Sequence, residues 1–235
     1  SRPPLLGADT RRIVAIGDSF TRGVDVGDHE TFAFHLERQI EDSRVINLGT
    51  AGYGIGQSFL KYLKQGGEHR PDVVVFGVYE DDLERARLPF FLSYKPYYYR
   101  DPQTQEVPLE RVEIPPFRDV YDSLSEHHAS LNRTSYVVHF LKGLISPERA
   151  PVYLPEMEAI AEHIFTQLKR ELERTHTQLL ILHIPSAEQI DALAQQQSMA
   201  PHHEALVGLY ERLRIPYIDL SDAFLTQFSL SHVLE

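Results

Sequence analysis

The chain has 235 residues, no cysteine, 42% hydrophobic residues and a formal net charge of −11. This length and apolar content fit one α/β domain with an insertion, and the acidic charge argues against nucleic acid or an anionic membrane as a partner. The lack of cysteine excludes disulfides, a thiol nucleophile and thiolate metal sites. No apolar run approaches the length of a membrane span.

Five apolar runs are typical of buried strands, and amphipathic patterns separate most of them. The strand candidates are residues 12–16, 44–48, 72–78, 178–184 and 216–220. The helix candidates are residues 31–41, 57–65, 155–174, 188–197 and 202–213. Strands that alternate with helices imply right-handed crossovers and a parallel sheet covered on both faces. The sequence therefore predicts a flavodoxin-like three-layer α/β/α sandwich.

Residues 84–150 break this alternation, and we predict an insertion there, after the third strand. Six prolines and six aromatic residues lie between Leu88 and Pro116. The run Tyr97-Tyr98-Tyr99 favours one arm of a hairpin, and helical patterns follow near 117–128 and 135–144. The insertion would leave the sheet at the carboxyl ends of its strands, where ligands bind. We interpret its aromatic residues as a second small core or as a lid over a substrate.

The first strand candidate is followed by Gly17-Asp18-Ser19, so a serine lies just past the carboxyl end of a buried strand. Open α/β folds place reactive groups at this position. The alternative is a plain turn in which Asp18 and Ser19 cap the backbone. Residues 13–19, IVAIGDS, resemble the first block of the GDSL, or SGNH, family of serine hydrolases, and the strand rhythm is similar to that of larger bacterial members.

This resemblance implies the SGNH hydrolase fold, with Ser19 as nucleophile and its backbone N–H as an oxyanion donor. The second family block is an oxyanion glycine after the second strand. We match it to Gly52, with Gly54 as the next choice, in a loop where four glycines fall within eight residues. A glycine lets a backbone N–H approach a ligand closely. A glycine-rich turn without a role in binding is the alternative.

The third block departs from the family, which has an oxyanion-donating asparagine after the third strand. Our alignment places Asp81 there, and an alternative alignment places Tyr79. An ionised carboxylate has no hydrogen to donate, and loss of one oxyanion donor costs about 10²–10³ in rate. Either Asp81 is held protonated beside Glu80 and Asp82, or two backbone donors suffice, or the site is impaired. A solvated acidic turn is the alternative without a catalytic role.

The general base is the least defined part of this predicted site. The family motif Asp-x-x-His does not occur in the chain. By its position near the carboxyl terminus, His232 is our candidate base, and His183, at the end of the fourth strand candidate, is the alternative. Adjacent residues do not share a helical face, so the pair His202-His203 is not predicted to bind a metal. No metal or organic cofactor is implied.

The resemblance thus predicts hydrolysis of an acyl ester through an acyl-enzyme on Ser19, as in an esterase, a lipase or a carbohydrate deacetylase. Its substrate would be a small-molecule or glycan ester. The alternatives are an impaired relative that binds a carbohydrate or a protein, and an O-acyltransferase. The chain begins at Ser1, and we expect an extracytoplasmic domain whose signal or anchor was removed, or otherwise a cytoplasmic protein.

Overall fold

The computed structural model describes residues 10–91, 93–110, 154–195 and 201–226. Its centre is a five-stranded parallel sheet, formed by β1 Arg11–Ile16, β2 Ser43–Asn47, β3 Val73–Tyr79, β8 Gln178–Ile184 and β9 Tyr217–Asp219. Their order across the sheet is β2-β1-β3-β8-β9. All five strand predictions are confirmed. The apolar runs of β1 and β3 are largely buried between two layers and therefore show no alternation, whereas the edge strands β2 and β9 are partly exposed.

Helices connect these strands and cover the sheet. They are α1 Ser19–Arg22, α2 Phe32–Gln39, α3 Ile55–Lys64, α4 Asp82–Arg87, α5 Leu154–Arg174, α6 Ala187–Ala194 and α7 Pro201–Arg212, with short 3₁₀ turns at Asp28–Glu30 and Gly66–His69. The long α5 buries the residues that recur every four positions, Ile160, Ile164, Leu168 and Leu172. This stripe packs on the sheet because residues four apart share a helix face. None of the described helices combines the length and the apolar character that a bilayer crossing requires.

The start of the predicted insertion packs on the main core. Helix α4, which the sequence did not predict, buries Leu83 and Ala86. Two hairpins follow, β4 Phe90–Phe91 with β5 Ser93–Tyr94, and β6 Tyr97–Tyr98 with β7 Leu109–Glu110. The second hairpin matches the predicted arm, and Tyr98 is buried in the core. The predicted helices near 117–128 and 135–144 lie outside the described residues, so the insertion as a whole stays a prediction.

The parallel strands gather their carboxyl ends at one edge of the sheet. Ser19 lies just after β1, and Glu80 just after β3. His183 of β8 pairs in register with Asp219 of β9 and with Val78 of β3. Topology alone therefore brings polar groups from distant parts of the sequence to one edge.

The loop after β2 approaches the turn after β1 most closely at Gly49. A Cβ at this position would lie 2.4 Å from the backbone nitrogen of Arg22, whereas a Cβ at Gly67 would meet nothing within 4 Å. We expect Gly49→Ala to lower the free energy of unfolding by about 1–3 kcal/mol, because the two backbones must move apart. Urea denaturation checks this, with Gly67→Ala as the matched control. Equal stability of the two variants would contradict the prediction.

Candidate functional site

The turn after β1 presents Ser19 at the start of helix α1. Asp18 caps this helix, its Oδ1 accepting from the backbone N–H of Phe20 at 2.9 Å. The Ser19 hydroxyl, which is partly exposed, donates to Oδ2 of Asp18 at 3.4 Å. Within the described part of the chain, the N–H of Ser19 donates no hydrogen bond. Both the hydroxyl and this N–H can therefore meet a ligand.

The loop after β2 is fixed against that turn by hydrogen bonds. Thr50 donates its N–H to the carbonyl of Gly17 at 3.0 Å. The side chain of Asn47 donates to the carbonyl of Thr21 at 2.8 Å and accepts from the N–H of Gly49 at 2.9 Å. The two loops therefore form one rigid unit at the carboxyl edge of β1.

Gly52 and Gly54 differ in what their backbones do. Gly52 has φ +77°, a conformation that favours glycine. Its carbonyl accepts from Nζ of Lys95 at 3.2 Å, and its N–H has no hydrogen-bond partner among the described residues. The N–H of Gly54 donates to Oε1 of Gln57 at 2.9 Å, and a Cβ there would lie 2.6 Å from the carbonyl oxygen of Asp82. Of the two glycines, Gly52 keeps a donor available for a ligand.

A buried guanidinium joins the Ser19 turn to helix α4. Nη1 of Arg85 lies 3.1 Å from Oδ2 of Asp18 and 2.9 Å from Oδ1 of Asp82. The two carboxylates are 0% and 1% exposed. Burial, together with the nearby charge of Asp18, raises the pKa of Asp82 well above its usual range, and Arg85 opposes this rise. No local sequence pattern indicates this contact, because Asp18 and Arg85 are 67 positions apart.

The three acidic residues after β3 have three different environments. Asp82 is buried against Arg85, and Glu80 is buried near two histidines. Asp81, which we aligned with the family's asparagine, is exposed at the start of α4, and its side chain makes no capping hydrogen bond. Tyr79, the alternative match, packs its ring 4.9 Å from the ring of Phe20, which is 51% exposed. An aromatic surface therefore borders Ser19.

Of the two candidate bases, the structure describes only His183. His183, the alternative base, is 0% exposed, with its ring nitrogens 2.9 Å from Nδ1 of His203 and 3.3 Å from the hydroxyl of Tyr210. Among the described residues, no histidine hydrogen-bonds to the Ser19 hydroxyl. His232 lies outside the described residues, so its assignment as the base stays a prediction.

Glu80 belongs to the same buried cluster of side chains as His183 and His203. Burial pushes its pKa up, but hydrogen bonds from His183, His203 and Ser186 outweigh this and lower the pKa to about 2. Glu80 and His203 were not singled out by the sequence analysis as site residues. Their separation of 123 positions leaves no local signal that they meet.

Solved structures of esterases share this fold. A mutant of the esterase AlinE4 matches with a TM-score of 0.51 and 14% identity, over 95% of this chain and 84% of that chain. A catalytic mutant of Axe2, an acetylxylan esterase from Geobacillus stearothermophilus, matches with a TM-score of 0.51 and 13% identity, over 96% and 83%. AlinE4 itself, an SGNH-hydrolase family esterase, matches with a TM-score of 0.48 and 14% identity, over 90% and 77%.

No protein-family model and no curated protein matches the chain. The structural matches nevertheless cover nearly all of it and agree with the parallel five-stranded sheet. The predicted SGNH hydrolase fold is therefore confirmed. At these identities the likeness establishes the fold and not the reaction.

We expect Arg85→Met to be strongly destabilising, because it leaves Asp18 and Asp82 buried without their cation. Removing one partner of a buried ion pair costs about 3–5 kcal/mol. The matched control is Arg44→Met. The guanidinium of Arg44 pairs with Glu37 at the surface at 3.0 Å, and such a surface ion pair contributes less than about 1 kcal/mol to stability. Urea denaturation at neutral pH measures both, and similar losses in the two variants would refute the ranking.

We expect the titration of Lys95 to make the free energy of unfolding depend on pH in the alkaline range. Burial, reinforced by the charge of Arg85, lowers its pKa from 10.5 to about 8. Between these values the unfolded chain binds the proton that the folded protein has released, so stability rises with pH in this window. We expect the wild type to gain stability relative to Lys95→Met from pH 8 to 10.5, as measured by urea denaturation. A constant difference across this range would disprove the assignment.

Proposed function

We propose that this chain, which has the SGNH-hydrolase fold, hydrolyses an acyl ester through a covalent intermediate on Ser19. The observation that carries the proposal is the turn after β1, at the carboxyl edge of the sheet. There the hydroxyl of Ser19 is partly exposed, and its N–H has no hydrogen-bond partner among the residues that the structure describes. An acyl-transfer site needs such a nucleophile together with donors for the oxyanion. The esterases among the structural matches support the same reaction class.

In the proposed reaction, the Ser19 oxygen attacks the ester carbonyl carbon while its proton passes to a general base. His232 is our candidate for this base. The tetrahedral oxyanion accepts hydrogen bonds from the N–H groups of Ser19 and Gly52. Its collapse expels the alcohol, which takes the proton back from the base, and water then cleaves the acyl-enzyme by the same sequence of steps.

Two features favour an oxyanion site built from backbone donors. The N–H of Gly52 has no other partner within the described residues, and Lys95 fixes the peptide that follows it through the Gly52 carbonyl. The carboxylate of Asp81 is exposed, so water screens its charge. We infer that Asp81 slows the reaction without abolishing it, since it replaces a donor with a screened negative charge.

The surface next to Ser19 favours an ester with an apolar or ring-shaped acyl or alcohol group. Phe20 is 51% exposed and packs against Tyr79, and the guanidinium carbon of Arg85 lies 5.8 Å from the centre of the Tyr79 ring. Partly exposed aromatic rings pack well against acyl chains and against sugar rings. We propose a small-molecule or glycan ester as the substrate.

Hydrolysis of p-nitrophenyl esters of several acyl lengths tests this function. We expect Ser19→Ala and His232→Gln to reduce kcat/KM, the former to the background rate and the latter by about 10²–10⁴. Asp81→Asn should raise kcat/KM by up to about 10²–10³, because it restores an oxyanion donor. Glu84→Gln, which removes an exposed charge from the same helix, should leave the rate unchanged.

A fluorophosphonate probe separates this proposal from its alternatives. Labelling of the wild type and not of Ser19→Ala would support an activated serine. Failure to label the wild type, together with equal ester hydrolysis in all variants, would overturn the hydrolase proposal and favour an impaired relative that binds a glycan or a protein. Acyl transfer to a polyol in preference to water would identify an O-acyltransferase that uses the same serine.

A further inference from the structure

Three metal-ligating side chains meet below the carboxyl edge of the sheet. Glu80 follows β3, His183 belongs to β8 and His203 belongs to α7, and their side chains are 5%, 0% and 1% exposed. Nε2 of His183 lies 2.9 Å from Nδ1 of His203, which lies 3.2 Å from Oε1 of Glu80. The third side of this triangle, from His183 Nε2 to Glu80 Oε1, measures 3.6 Å.

These separations match the spacing of ligands around a tetrahedral ion. Metal–nitrogen and metal–oxygen bonds of about 2.0–2.2 Å place neighbouring ligand atoms roughly 3.4 Å apart. The observed separations of 2.9, 3.2 and 3.6 Å bracket that value. We propose that Glu80, His183 and His203 form a buried binding site for one divalent transition-metal ion of the zinc class.

Hydrogen bonds among the three side chains satisfy their polar atoms poorly. A neutral imidazole has one N–H donor, and its other nitrogen is an acceptor. Nδ1 of His203 faces both the carboxylate of Glu80 and Nε2 of His183, and a single proton on it cannot point at both. An ion at the centre of the triangle accepts a lone pair from all three atoms at once.

The outer nitrogen of each ring also lies near a polar side chain, and that of His183 forms a hydrogen bond. Nδ1 of His183 pairs with the hydroxyl of the buried Tyr210 at 3.3 Å. Nε2 of His203 lies 3.0 Å from Oδ2 of Asp219, at ion-pair distance although not in the direction of a hydrogen bond. The hydrogen bond to Tyr210 fixes the ring orientation of His183 and makes its inner nitrogen a better ligand.

The donor set selects the class of ion. Two imidazoles and one carboxylate suit zinc and its first-row neighbours, whereas magnesium and calcium prefer oxygen ligands alone. Three protein ligands leave the fourth position of a tetrahedral ion for a water or another oxygen. The ion would connect β3, β8 and α7, and it would therefore stabilise the fold independently of the proposed esterase reaction. This proposal departs from the sequence analysis, which implied no metal.

Metal titration of the chelator-treated full chain tests the site. We expect the wild type to bind one equivalent of Co²⁺ with the visible bands of a tetrahedral complex, and Zn²⁺ to displace it. His203→Gln and Glu80→Gln should lose this spectrum and the rise in Tm that Zn²⁺ causes. The matched control His202→Gln changes the adjacent histidine, which is outside the triangle, and should retain both.

A second measurement on the wild type covers the case in which the buried variants fail to fold. Crystals grown with Zn²⁺ should give an anomalous difference peak, at the zinc absorption edge, bonded to Glu80, His183 and His203. The proposal is overturned if the wild type binds no stoichiometric Co²⁺, if the tetrahedral spectrum persists in a folded His203→Gln protein, or if the peak lies only on exposed histidines.

Discussion

The turn that presents Ser19 depends on one buried ion pair network, in which Arg85 faces both Asp18 and Asp82. Two carboxylates that are almost fully buried repel each other and lose their hydration, so they need a cation between them. Arg85 supplies it and thereby joins the turn after β1 to helix α4. Because Asp18 also caps α1, the same guanidinium fixes the position of the Ser19 N–H and hydroxyl. The loop that carries Gly52 then packs on this fixed turn.

The end of β3 divides the carboxyl edge into two polar groups. On one side, Asp82 joins Arg85 in the group around Ser19. On the other side, Glu80 contacts His183 and His203, each of which lies more than a hundred positions further along the chain. Asp81, between the two, faces solvent. Residues adjacent in sequence thus belong to separate sites, because the chain turns sharply from strand into helix at this point.

This turn explains why the third family block is hard to interpret from sequence. Alignment treats Glu80, Asp81 and Asp82 as similar acids and compares one of them with an asparagine. In the structure their differences in burial decide their chemistry, since only buried carboxylates need a fixed counter-charge or a hydrogen-bonded partner. An exposed Asp81 is compatible with an oxyanion site that uses backbone N–H groups. The esterase and the metal proposals therefore draw on different residues, and each can fail without the other.

The sequence by itself determined the sheet, its five longest helices and the place of Ser19, because buried strands and amphipathic helices repeat in local patterns that burial imposes on the chain. It also pointed to Gly52, through a glycine-rich loop after a strand. Only the tertiary structure decided that the N–H of Gly54, and not that of Gly52, is paired within the described part of the chain. It also decided that Arg85 joins Asp18 to Asp82, and that Glu80 meets His183 and His203. These contacts join residues far apart in the chain, and no local pattern encodes them, since a single side chain's identity does not reveal which distant partner will share its buried volume.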